Sequence, residues 1–259
     1  MRDRATTPDR TGPEHEPVPR VASAAGGPCE RLPVRAVLVD ERDQAAHRAG
    51  EPVLAPSGRS GTSAPHPRQL PLSARGSPVT RTPLYEDAVR VLSSWEAPDA
   101  GQEDVRLGFL RHLEEHPADG MWRECAAGHI TASTAVLDAS RTRVLLTLHA
   151  KFKAWFQLGG HCEPGDVTLA GAALREATEE SGIAGLRLRP VPVRLDRHAV
   201  RCRPEGTWHL DVQYVAIAPV DARHTVSAES DALDWFPVDD LPGSTDDAVR
   251  GLVAQAVRS

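Results

Sequence analysis

Apolar residues recur at helical spacing twice after Pro83: Leu84, Ala88, Val91, Leu92 and Trp95 form one stripe, and Val105, Phe109, Leu110 and Leu113 form a second. Residues three and four apart share one face of an α-helix, so each set predicts an amphipathic helix with a buried side. EAPDAG separates the two, and Pro117 with the Ala-Asp-Gly that follows ends the second. The pair reads as two helices docked by their apolar faces on the domain that comes next.

The period then shortens. ITASTAVL (130–137) and VLLTL (144–148) are β-type runs joined by DASRTR as a hairpin turn, and Trp155 and Leu158 continue as strand residues. A further apolar run covers 186–195. In HLDVQYVAIA (209–218) alternation puts His209, Asp211 and Gln213 on one face and Leu210, Val212 and Tyr214 on the other, the polar face being expected to line a cleft. A terminal amphipathic helix carries Ala248, Leu252, Val253 and Ala256.

Residues 1–80 show neither period. They hold twelve of the 22 prolines and no Trp, Tyr or Phe, so they bury too little apolar area to offset chain entropy and are predicted to be disordered. LPVRAVLVD (32–40) is an isolated apolar run within them. The chain therefore divides into a Pro/Arg-rich segment (1–80), a helical pair (81–120) and a main α/β domain (121–259).

Composition adds exclusions. A net charge of −6 argues against a protein whose affinity comes from neutralising nucleic-acid phosphates, so no stable nucleic-acid binding is expected. A small nucleotide can still be held by a local cation cluster and a metal. No run approaches the ~18 apolar residues of a membrane span, and no apolar core follows the mixed-charge start as in a signal peptide. The expectation is a cytoplasmic protein with no membrane partner; a homodimer is left open. Cys29, Cys125, Cys162 and Cys202 form no paired spacing and read as reduced thiols. Neither His161 beside Cys162 nor Cys125 with His129 has the spacing of a structural zinc site.

The densest chemical signal is GGHCEPGDVTLAGAALREATEESGI (159–183). A glycine-rich turn carrying Glu163 and Asp166 leads into a helix whose last turns put Glu176, Glu179 and Glu180 on one face. Like charges so placed repel unless a cation sits against them, and hard divalent ions take carboxylate oxygens. Gly182 stands where a helix is stopped.

These residues resemble the Nudix box: Gly, five residues, Glu, seven residues, Arg-Glu, an aliphatic, any residue, Glu-Glu, any residue, Gly and an aliphatic. The second half is intact from Arg175 to Ile183. The first half departs from the pattern. Counting from Gly160 puts Asp166 in place of Glu and leaves eight residues before Arg175, and Leu158 stands where proline is frequent.

The resemblance covers Met121–Ser259 and implies a Nudix-type α/β/α sandwich with a mixed sheet. The activity it implies is Mg²⁺-dependent hydrolysis of a phosphoanhydride in a nucleoside diphosphate linked to another moiety (a nucleotide sugar, a dinucleotide or a (d)NTP), with Mn²⁺ as a substitute ion. Glu176, Glu179, Glu180 and the Gly159 carbonyl are the implied metal ligands, with Arg175 in support. Glu229, or else Asp231, is the implied acidic loop residue that handles water or metal. Lys151 and Lys153, with Arg141, Arg143 and His149 near them in sequence, are candidates for phosphate, and Gly160 for a substrate contact. Trp155, Phe156, Trp208 and Tyr214 are candidates for stacking on a base, at most two of them touching ligand. The alternative is a nucleotide-sensing module without turnover, supported by the altered loop at Asp166. An isomerase of the same fold would need a catalytic cysteine, for which Cys162 is not an obvious counterpart.

Overall fold

Every residue of the first strand, β1 (His129–Leu137), is buried, and both of its edges are paired. The computed structural model describes residues 81–201, 206–226 and 230–259. The disorder expected of 1–80, and Cys29, Cys202 and Glu229, lie outside them. In chain order the elements are α1 (Pro83–Ser94), α2 (Ala100–Glu115), β1, β2 (Arg143–His149), β3 (Trp155–Phe156), β4 (Leu158–His161), α3 (Leu169–Ser181), β5 (Arg187–Leu188), β6 (Arg194–Val200), β7 (Thr207–Ile217), β8 (Ser230–Pro237) and α4 (Asp247–Arg258).

β1 runs parallel to β7 from His129 opposite His209 to Leu137 opposite Ile217. Its other edge is divided, with β4 along Thr131–Thr134 and β2 at Val136 and Leu137, both antiparallel. β5 and β6 add to β7, and β3 and β8 to β2, completing a mixed sheet of eight strands. The apolar stretch 186–195 holds β5 and the start of β6. Pro190 and Pro192 lie between them, and proline has no N–H to give a ladder.

The alternation along β1 and β7 assigns the layers. Ile130, Ala132, Leu210, Val212 and Tyr214 pack with Leu84 and Leu92 of α1, Phe109 and Leu113 of α2, and Leu169, Ala172 and Ala173 of α3. Ala135, Leu137 and Val215 project to the other side and pack with Val249, Leu252, Val253 and Ala256 of α4. The result is an α/β/α sandwich with α1, α2 and α3 on one face and α4 on the other. Each fully buried Leu or Phe contributes roughly 1.5–3 kcal/mol, so these faces hold the layers together.

Polar ties fix the first two helices in place. Gln102 of α2 copies a strand edge: its Oε1 accepts from Leu195 N at 2.8 Å and its Nε2 donates to Leu195 O at 3.0 Å. Trp95 Nε1 donates to Pro192 O at 2.7 Å. Asp87, buried in α1 and paired with Arg90, accepts from Leu169 N at 2.9 Å. That N–H opens α3 and has no partner within the helix. Thr168 caps the same end by accepting from Gly171 N.

Asp87→Ala is expected to cost about 1–3 kcal/mol in denaturant unfolding, because the Leu169 N–H stays buried without its acceptor. Asp87→Asn, which keeps an acceptor oxygen, should recover part of the loss. An unchanged midpoint in the alanine variant would show that α1 does not secure the start of α3.

Candidate active site

The paired glycines of β4 admit groups from opposite sides. At Gly159, φ is +149°, and a Cβ would lie 2.3 Å from the Ser133 Cβ on β1. At Gly160 a Cβ would lie 2.9 Å from Oε2 of Glu176 on α3. The second glycine thus lets a carboxylate rest against the strand backbone.

Helix α3 delivers that carboxylate because both its ends are fixed. Thr168 and Asp87 set its start, and Gly182, in the left-handed conformation at φ 66°, ends it. Glu180, one turn beyond Glu176, accepts from the Gly159 N–H at 3.0 Å. Glu179 lies at the exposed rim.

Arg175 binds this end of the helix to its loop. Its Nε and Nη2 donate to the two oxygens of Asp166 at 3.1 and 2.9 Å, and Nη2 also donates to the His161 carbonyl at 3.0 Å. Nη1 donates to Glu176 Oε1 and Glu179 Oε2, each at 3.0 Å, with Glu163 Oε1 at 3.9 Å. Burial works against its charge, yet Asp166, Glu176 and Glu163 hold its pKa above the ordinary arginine value. Asp166 therefore reaches its partner despite the inserted residue. Val167, at the join, is 62% exposed, and the loop remains tied to the helix.

Glu176 is the strained member. Burial pushes its pKa up to about 7, against the pull of Arg175, and Glu179 and Glu163 add repulsion. Five carboxylates, Glu163, Asp166, Glu176, Glu179 and Glu180, share this corner with one guanidinium. The corner lacks cationic charge, and its donors are hard oxygens.

A family model of the NUDIX domain matches residues 128–255. The chain belongs to the Nudix hydrolase family. Among solved structures, a NUDIX-family hydrolase from Clostridium perfringens is similar at 24% identity over 50% of this chain and 96% of its own, with a TM-score of 0.43. The E. coli dihydroneopterin triphosphate pyrophosphohydrolase is similar at 19% identity over 52% and 100%, TM-score 0.44. The NUDIX domain of Shewanella oneidensis NrtR, complexed with ADP ribose, is similar at 19% identity over 56% and 96%, TM-score 0.42. No curated protein matches the chain.

In this Nudix hydrolase the structure brings together Gly159, Gly160, Arg175, Glu176, Glu179 and Glu180. It disperses the positive cluster. Arg141 donates to the Ser259 carbonyl and Arg143 pairs with Asp138, both at the β1–β2 turn. His149 is the opposite end of β2, roughly 20 Å away for a strand of this length, and Lys151 and Lys153 follow it. Lys151 is exposed, and Lys153 pairs with Asp231, the alternative loop acid.

Of the aromatic candidates, Trp155 packs against Phe236 with ring centres 4.6 Å apart, and Trp208 lies under the Arg197 guanidinium at 3.9 Å. Phe156 is half-buried beside the α4 core. Tyr214 is fully buried on the α3 side of the sheet and is not available to a base.

The expected polar face of β7 is present on the α4 side of the sheet. Asp211 there accepts from Thr131 Oγ1 (3.0 Å), Ser133 Oγ (2.6 Å), Gln213 Nε2 (3.0 Å) and Gln157 Nε2 (3.3 Å). The sequence argument missed these partners, and it weighed His129 and His161 only beside Cys125 and Cys162, not beside each other. Alternation places Thr131 and Ser133 on one face, but only the β1–β7 register shows that they share it with Asp211.

The two glycines should respond differently to alanine. Gly159→Ala combines a backbone conformation nearly reserved for glycine with a clash against β1, and is expected to cost more than about 3 kcal/mol. Gly160→Ala displaces only the flexible end of Glu176 and should cost about 1 kcal/mol or less. Equal denaturation midpoints would contradict this.

Glu176 sets a pH dependence. A carboxyl whose folded pKa lies above its unfolded value stabilises fully below pH 4.5 and loses that contribution as pH rises through about 7. Metal-free Glu176→Gln should therefore unfold above the parent at pH 8, by roughly 3 kcal/mol, with the gap closing below pH 4.5. A gap that is absent at pH 8, or constant with pH, would show that Glu176 is not disfavoured as the ion.

Proposed function

We propose that the domain hydrolyses a phosphoanhydride bond in a nucleoside diphosphate linked to another moiety, a nucleotide sugar, a dinucleotide or a (d)NTP, with Mg²⁺ as cofactor and Mn²⁺ as a substitute. One observation carries the reading. Carboxylates crowded on one helix face are held against the glycine backbone of β4, with a single arginine to offset them.

The donor set fits a hard divalent ion. Glu176, Glu179 and Glu180 would hold it, with the Gly159 carbonyl as a further oxygen. When bound, the ion supplies charge neutralisation to the diphosphate and lowers the pKa of a water nucleophile. Arg175 keeps Glu176 and Glu179 in position and joins the loop at Asp166 to the helix. Gly160 leaves the carboxylate room to reach the substrate side, and Lys151, Lys153 and Trp155 are the substrate contacts offered, Lys153 by exchanging Asp231 for phosphate. Glu229 as the loop acid rests on the family resemblance alone.

The sensing alternative drew its support from the altered loop. The double hydrogen bond between Asp166 and Arg175 keeps the altered loop tied to the helix, which favours the hydrolytic reading. The isomerase alternative needs a reactive cysteine, and burial pushes the Cys162 thiol far up. The partner proposed is a small nucleotide. No helix among the described residues is long and apolar enough to cross a membrane. Buried, unpaired Cys125 and Cys162 favour a reducing, cytoplasmic setting.

Incubation with Mg²⁺ and a panel of ADP-ribose, dinucleotides, CoA and (d)NTPs should release nucleotide or phosphate from one class. Glu180→Gln is expected to lower that turnover about 100-fold or more while keeping its unfolding midpoint, since glutamine still offers an oxygen to Gly159. Binding of a panel member without release would favour the sensor, and full turnover by the variant would put the metal elsewhere.

A further inference from the structure

β1, β4 and β7 bring three histidines to one place. His129 and His209 are direct neighbours across the parallel pair, and His161 is opposite Thr131 on the same face. The ring centres of His129 and His161 are 5.0 Å apart and nearly stacked. His209 stands edge-on to both, at 4.8 Å from His129 and 5.1 Å from His161. One ring nitrogen from each lies within 4.8 Å of the other two. His129 is fully buried, His209 is buried and His161 is partly exposed.

Folding alone does not call for this grouping. Taking an imidazole out of water carries a desolvation cost that an aliphatic residue at the same strand position would avoid. The trio also differs chemically from the corner at α3. It offers nitrogen donors in place of oxygens, from three strands in place of one helix. Residue 160 directs its missing Cβ at Glu176, and His161, the next residue, projects to the other side of the sheet.

We propose that His129, His161 and His209 form a second metal centre, separate from the α3 carboxylates, that takes a transition ion of the Zn²⁺ class through three imidazole nitrogens. Imidazole suits Zn²⁺, Co²⁺, Ni²⁺ and Cu²⁺, whereas Mg²⁺ keeps to oxygen. With Zn–N bonds near 2.0–2.1 Å, tetrahedral ligand nitrogens lie ~3.4 Å apart. The rings must close by up to ~1.4 Å, which rotation about two side-chain bonds provides.

A fourth histidine lies beside the trio. His198, opposite His209 in β6, has Nδ1 2.7 Å from Asp196 Oδ2 and its ring centre 5.3 Å from that of His209. Three protein ligands leave a fourth position for water or a small anion. The ion would clasp β1, β4 and β7 at the end of the sheet where β1 begins.

Cobalt titration of the full chain in excess Mg²⁺ tests this. One equivalent should bind with the intense visible absorption of tetrahedral, nitrogen-rich Co²⁺ and be displaced by Zn²⁺. The signal should persist in the double variant Glu176→Gln, Glu180→Gln. It should weaken by about 100-fold in His161→Gln and in His209→Gln. Zn²⁺ should raise the unfolding temperature of the parent and not that of His161→Gln. A pale octahedral spectrum, no binding at micromolar cobalt, or binding lost with the glutamates and kept in the histidine variants would overturn the proposal. If the histidine variants fail to fold, the spectrum of the parent decides between tetrahedral nitrogen and octahedral oxygen. Loss of hydrolysis in Glu180→Gln bears on the carboxylate site alone, so the two readings fail independently.

Discussion

The guanidinium of Arg175 is the interaction on which the acidic corner depends. It donates to Asp166 in the loop, to the His161 carbonyl at the end of β4, and to Glu176 and Glu179 on its own helix. A lysine could not replace it, because one ammonium cannot present a planar fork to Asp166 while reaching three further oxygens. Without it the loop and the helix would repel each other. With it, the loop acid and two helix carboxylates share one cation, while burial still disfavours the ionised form of Glu176.

The fold positions that corner by controlling where α3 starts and stops. Asp87 reaches from α1 to the first N–H of α3, and Gly182 turns the chain out of the helix after Ser181. Between these ends the rotation of the helix is fixed by Ala172, Ala173 and Ala177, whose small side chains let it lie close on the sheet. Glu176 and Glu180 then fall opposite Gly160 and Gly159. The first two helices thus bear on the site without contributing a ligand, through one hydrogen bond and a shared apolar core.

Much of this was legible in the sequence because it is local. The stripes of α1 and α2, the alternation from His209 to Tyr214, and the run from Arg175 to Ile183 each depend on residues within a few turns or rungs, and the structure keeps them. What the sequence hid depends on pairing between distant segments. Arg141 and Lys151 are close in number, yet β2 holds them at opposite ends. Asp211 draws donors from β1 some eighty residues earlier, through a parallel register that no short pattern encodes. His129, His161 and His209 lack any motif spacing for the same reason. Within 186–195, hydrophobicity conceals the missing donors of Pro190 and Pro192, which separate β5 from β6. The inserted residue alters a one-dimensional count, yet Asp166 still meets Arg175, a contact that counting along the chain does not reveal.

The stretch from Gly159 to His161 carries a further consequence. Because its glycines bring no bulk, Ser133 approaches from one side and Glu176 from the other, with only the thickness of a single peptide plane between them. Such a partition has no slack. A shift that opens space on one side must close it on the other, so bulk added at either glycine has to displace Ser133 or Glu176.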